Sequence, residues 1–186
     1  MLLHRYIIFA FLFFAPFANL LSQHIYMCKN ASISFFSEAR MENIEALSNE
    51  GTGALNTSTG EFVIKIRVKS FRFKNGLMEE HFNENYMESD KYPDAIFKGV
   101  LVEKLDLSMV GEYKLLAKGI LTIHGVAVER TINVVAVKTD GGITFTSQFM
   151  LPVASHKIDI PNDKITNISQ NIEVKINANF LPNVKK

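Results

Sequence analysis

Five histidines, one cysteine and 19 carboxylates are the residues whose chemistry suits catalysis or metal binding. His4, His24, His81, His124 and His156 lie far apart, and no two have ligand spacing such as HxH or HExxH. Spacing alone leaves open a site assembled from distant strands. Cys28 stands alone, so an intrachain disulfide and a Cys-rich metal site are excluded. Its ordinary role is that of a small buried hydrophobe. Covalent catalysis needs a base beside the nucleophile and a third group to orient it. The chain has no GxSxG elbow and no Gly-rich phosphate loop. His124 precedes Gly125 in a turn signal and reads as structural. His81, in Glu79-Glu80-His81, reads as a polar partner at the rim of a fold, or as a contact for a ligand's polar head. No catalytic residue and no metal site is assigned, and the chain is not expected to be an enzyme.

The aromatics carry more information. Phe35, Phe62, Phe71, Phe73, Phe82, Tyr86, Phe97, Tyr113, Phe145, Phe149 and Phe180 are spread over the whole chain. The elements that hold them alternate with period two, the strand signal. Phe62, Ile64, Ile66 and Val68 oppose Lys65, Arg67 and Lys69. Tyr113, Leu115, Ala117, Leu121 and Ile123 share one face. Ile172, Val174, Ile176, Ala178 and Phe180 share another. Ile143 to Thr146, Ala31 to Ser37 and Ala95 to Glu103 are shorter strand candidates. Val126 to Val137 is apolar on both faces in its second half, which predicts cover by another element. Gly51-Thr52-Gly53, Ser58-Thr59-Gly60 and Asp140-Gly141-Gly142 read as turns. From Asn75 to Tyr86, apolar residues recur three and four apart, which predicts a helix ended before Pro93. Ala39 to Leu47 fits a short helix, or a strand opening at Ile44.

The start of the chain is of another kind. Met1 to Arg5 precede an apolar run from Tyr6 to Leu21, and Ser22 follows. That is the pattern of a secretory signal peptide, with cleavage expected after Ser22. An uncleaved anchor is the competing reading; Pro16, Asn19 and the shortness of the run weigh against it. Residues 1–22 are therefore read as signal peptide and 23–186 as one domain. Losing Arg5 takes the basic residues from 20 to 19, against 19 acids. A neutral chain has no electrostatic footprint for nucleic acid. Three N-x-S patterns, at Asn30, Asn56 and Asn167, are readily chance in an Asn-rich chain.

Many amphipathic antiparallel strands with one inserted amphipathic helix must hide their edges. A barrel of about eight strands is the economical solution, with room for one elongated apolar ligand or a core filled by its own side chains. Lys and Glu at mid-strand on the outer faces argue against an integral membrane barrel.

Several segments resemble one family. Phe71-Arg72-Phe73 leads to a stretch from Leu77 to Gly99 containing a KYP-x-A-x-F element (Lys91, Tyr92, Pro93, Ala95, Phe97). GILTIHGV, from Gly119 to Val126, and Ser34-Phe35-Phe36-Ser37 complete the likeness. Together they resemble the YceI-like family across nearly all of 23–186. The family's frequent opening Trp is absent, since the chain has none.

The resemblance implies a mainly β, lipocalin-like antiparallel barrel with an apolar cavity holding an isoprenoid or other long-chain lipid. It implies no cofactor beyond that lipid, and a periplasmic or secreted location. The expected cavity residues are Phe35, Phe62, Ile64, Ile66, Phe71, Phe73, Phe82, Tyr86, Phe97, Leu115, Leu121, Phe145, Phe149 and Ile176, with His81 near the ligand's head. A homodimer is compatible with this reading. The rival is a filled barrel working through its surface, such as the Lys65, Arg67 and Lys69 face. An enzyme or a haem carrier ranks below both.

Overall fold

The computed structural model of the protein describes residues 24–39, 42–160 and 168–183. The expected signal peptide, 1–22, lies outside the described residues.

Period-two alternation becomes strand wherever it was clearest. The strands are β1 (Ile25–Ser37), β2 (Ile44–Asn56), β3 (Glu61–Arg67), β4 (Arg72–Phe73), β5 (Asp94–Leu101), β6 (Gly111–Ile123), β7 (Val126–Lys138), β8 (Ile143–Pro152) and β9 (Asn171–Pro182). All neighbours are antiparallel, in the order β1-β9-β8-β7-β6-β5-β3-β2, and β1 pairs with β2 to close the ring. The eight-stranded barrel leaves β4 outside, paired with Ala46 and Leu47 of β2. Closure removes the exposed edges that an open sheet would carry. The faces read from the sequence point inward: Leu115, Ala117 and Leu121 of β6 are buried, as are Val174, Ala178 and Phe180 of β9.

Two expectations change, and one open choice is settled. Gly51-Thr52-Gly53 is no turn but the middle of β2. A Cβ on Gly51 would lie 2.8 Å from that of Ala31, and one on Gly53 would lie 2.9 Å from the Phe180 ring. These glycines allow close approach inside a strand, where turn and contact glycines look alike in sequence. Ile44 to Leu47 is strand, which settles the described part of the ambiguous stretch; Met41 lies outside the described residues. Nor is the outer face of β7 covered. Val137 stays 39% exposed while Ile132, Val134 and Ala136 are buried. There valine reports strand propensity rather than burial.

The predicted helix is present in two parts. Asn75 caps α1 (Gly76–His81), its side chain accepting from the Leu77 amide at 2.9 Å. The chain then widens into a π-helical turn, Phe82–Tyr86. This cap lies over the end of the barrel where β3 ends and β5 begins.

Two groups of buried apolar side chains result. The larger fills the barrel; the smaller, Val68, Met87, Val153 and Ile158, lies beneath the cap.

Candidate functional site

Inward-facing side chains fill the barrel at the end away from the cap. Toward the cap they leave a cavity of about 490 Å³. That is within the usual size of small-molecule sites, roughly 300–1,000 Å³. Its walls are apolar. Ser37, Glu42, His81 and the Tyr86 hydroxyl are the polar groups among the described lining, and Ser37 and His81 close β1 and α1 at the capped end.

Eleven of the expected cavity residues line it. Ile64, Ile66, Phe97, Leu121, Phe149 and Ile176 come from the barrel wall. Phe35, Phe71 and Phe73 come from the capped end, with Phe82 and Tyr86 from the cap itself. Exposed His81 sits at the mouth. The other three do not line this cavity. Phe62 and Phe145 surround a separate void of about 40 Å³, and Leu115 is packed in the core. Phe62 and Phe145 lie near the starts of β3 and β8, and Leu115 in the first half of β6, all toward the filled end. Phe62 meets Phe97 edge-on with centroids 5.1 Å apart, and Phe145 meets Phe180 at 5.4 Å. Alternation identifies an inward residue; it does not say how far along the barrel the filling stops.

Other lining residues had no place among those expected. Met78 and Met87 come from the cap, and Val153, Ile158, Ile160, Ile168 and Ile172 from the chain between β8 and β9 and the start of β9. Alternation of Ile158 and Ile160 about Asp159 was the available signal.

Phe82 anchors the cap. Its ring stacks on Phe35 with centroids 5.3 Å apart and meets Phe73 at 5.0 Å and Phe71 at 6.0 Å. Such pairs contribute about 0.5–1.5 kcal/mol each beyond buried area. Arg72 supports this side through a 3.1 Å pair with Glu79.

The far side of the cap meets the barrel through polar groups. Nε2 of His124, in the β6–β7 turn, lies 2.8 Å from Glu88 Oε2. A carboxylate only accepts, so this nitrogen carries the proton. The bond from His124, with help from nearby Lys91, holds the Glu88 carboxyl below its ordinary range. The His124 ring stands edge-on to Tyr92, centroids 4.6 Å apart. Tyr92 also covers Gly125, where a Cβ would lie 2.5 Å from the ring.

His156 follows β8 in a short 3-10 turn (Val153–His156) and is fully buried. Its Nδ1 lies 3.0 Å from the Val126 carbonyl oxygen, while Nε2 is buried with no partner among the described residues. Burial pushes its pKa below the ordinary 6.5. Below that value the unfolded chain binds a proton that the folded ring refuses. Stability is therefore expected to fall as pH drops from 6.5 toward the lowered pKa. Urea midpoints at about pH 7.5 and about pH 5.5 check this: His156→Gln should shrink the difference. An equal difference in both proteins would refute the assignment.

The barrel wall is not continuous between β7 and β8. β6 and β7 pair along 13 register positions, but β7 and β8 only from Val135↔Thr146 to Lys138↔Ile143. Beyond them the strands diverge, and the Ser147 hydroxyl donates to the Asn133 carbonyl at 2.7 Å. An outer groove begins there. Ile176, an inward residue, lines both it and the main cavity.

Among the described residues, no cluster of His, Cys, Asp or Glu could hold a metal, and no helix is long and apolar enough to cross a membrane.

A closed antiparallel barrel with an apolar cavity under a helical cap defines a lipocalin-like fold. The chain belongs to the YceI-like family, whose domain matches residues 28–180. Solved structures share the fold. A polyisoprenoid binding domain from Saccharophagus degradans aligns with a TM-score of 0.70 at 12% identity, covering 86% of this chain and 99% of its own. BcnA of Burkholderia cenocepacia gives 0.67 at 17%, covering 80% and 94%. The Campylobacter jejuni YceI protein gives 0.52 at 17%, covering 81% and 82%. No curated protein matches the chain.

Proposed function

We propose that this protein binds a long isoprenoid or related long-chain lipid in the barrel, and stores or carries it through an aqueous compartment. The capped apolar cavity of about 490 Å³ carries the reading. The polyisoprenoid-binding description of a structural neighbour agrees with it. No Lys or Arg lines the described wall, so the tail supplies most of the affinity. Each buried methylene contributes about 0.8 kcal/mol, and ten give about 8 kcal/mol, the scale of micromolar binding before ordering costs. The head sits at the mouth near His81. The role is binding, without a catalytic step or a further cofactor. The leader-like residues 1–22 support export to the periplasm or beyond.

Native mass spectrometry of the protein from its own host, followed by solvent extraction, tests this. A stoichiometric prenyl or acyl species surviving gel filtration is the expected result. A bare mass, with no uptake of added long isoprenoids, would favour the filled-barrel alternative.

A further inference from the structure

Three non-glycine residues among those described have positive φ: Glu88 at 41°, His124 at 52° and Lys157 at 56°. They lie far apart in sequence yet meet at one place. Glu88 ends the cap, His124 forms the β6–β7 turn, and Lys157 ends the turn after β8. His124 joins the other two: Nε2 lies 2.8 Å from Glu88, and Nδ1 lies 3.4 Å from the carbonyl oxygen of His156, the neighbour of Lys157. Residues in this region of φ are strained unless their surroundings hold them.

Each strained residue adjoins a residue of the cavity wall. Met87 precedes Glu88, Ile123 precedes His124, and Ile158 follows Lys157; all three line the cavity. Met87 and Ile158 also belong to the small buried cluster beneath the cap. Phe82, on the other side of the cap, is held by three aromatic rings. The cap therefore has an apolar anchor at one side and a polar contact, backed by strained backbone, at the other.

We propose that the Glu88–His124 contact is a releasable catch. When it opens, the segment from Glu84 to Tyr92 lifts about the Phe82 anchor, and the mouth admits or releases the ligand. Strain relief at Glu88 and His124 favours opening; the hydrogen bond, the Tyr92 edge contact and the exposed 2.6 Å Lys69–Asp90 pair oppose it. The proposal rests on the cavity being the lipid site, but the catch has a readout that needs no lipid.

Glu88→Asn and His124→Asn test it, singly and together. Asn tolerates the left-handed region, so neither change adds strain, and its shorter side chain cannot span the contact. Glu88 is exposed, so its variant leaves the barrel intact. Hydrogen–deuterium exchange of the buried Ser89 amide, bonded to the Asn83 carbonyl outside the lifting segment, reports opening. Uptake of radiolabelled geranylgeraniol from phosphatidylcholine vesicles reports gating.

Each variant is expected to speed both by about tenfold, and the double variant to go no further than the singles. Equilibrium occupancy stays within about twofold, because no residue on the cavity wall changes. Unchanged amide exchange would overturn the catch. Faster exchange with unchanged uptake rates would leave the contact structural and overturn the gating. Faster exchange with no uptake by any of the proteins, unmodified chain included, would sink the lipid reading while the catch stood.

Discussion

Ile64→Glu is expected to leave a folded barrel that no longer retains lipid. Ile64 faces inward from β3, opposite Phe97 of β5, and lines both the main cavity and the smaller void below it. It is only half-buried because it borders empty space rather than packed side chains. A carboxyl there reaches into the cavity without forcing its neighbours apart. A bound chain would then strip water from it and offer no hydrogen bond in return. An unpaired polar group costs about 3 kcal/mol or more when desolvated, at least a hundredfold in affinity. Ile64→Val, which removes one methylene, should cost less than tenfold. Titration with a long isoprenoid, alongside a thermal melt of each variant, checks this. Retention of lipid by Ile64→Glu at ordinary affinity would place the ligand elsewhere.

Gly99→Val is expected to destroy the fold. Gly99 of β5 pairs directly with Gly119 of β6. A Cβ on Gly99 would lie 2.1 Å from the Lys118 carbonyl oxygen and 2.6 Å from the Gly119 Cα. Gly119 is equally blocked, at 2.3 Å from the Lys98 carbonyl oxygen and 2.7 Å from the Gly99 Cα. Both obstacles are backbone, so relief requires the two strands to part. That breaks a ladder in a closed ring, and a loss above about 4 kcal/mol follows. Gly111 provides the control, because nothing lies within 4 Å of a Cβ added there. Gly111→Ala should hold stability within about 1 kcal/mol. Urea unfolding followed by circular dichroism distinguishes the two; equal stabilities would show that the Gly99 backbone shifts freely.

The glycines also show where sequence reading stops. Alternation exposed the inward faces of β3, β6 and β9, because a half-buried strand writes its register in every second residue. It missed most of β2, where Gly51 and Gly53 carry no side chain to alternate. Punctuation succeeded at Gly60 and Gly125, whose φ values are positive, and failed at Gly51, whose reason for being glycine is Ala31 across the ladder. For the cavity, the direction of a side chain was legible and its depth was not. Phe62 and Phe97 each alternate correctly, yet only Phe97 reaches the main cavity. The lining after β8 was the least legible, since Val153 and Ile158 adopt no long repeat and owe their positions to the turn at His156.

The short ladder between β7 and β8 has a mechanical meaning. In a closed ring of strands, widening the bore at most joints sacrifices backbone hydrogen bonds, which makes the wall stiff. Past Val135 and Thr146 that resistance is small, with the Ser147 hydroxyl bridging to Asn133. Girth can therefore vary here at little cost in hydrogen bonding, as it can at the equally short β2–β3 ladder, Thr52↔Lys65 to Leu55↔Phe62. By its ladders the wall is less a rigid tube than a collar with two loose joints, set between longer ladders that fix the register of the other strands.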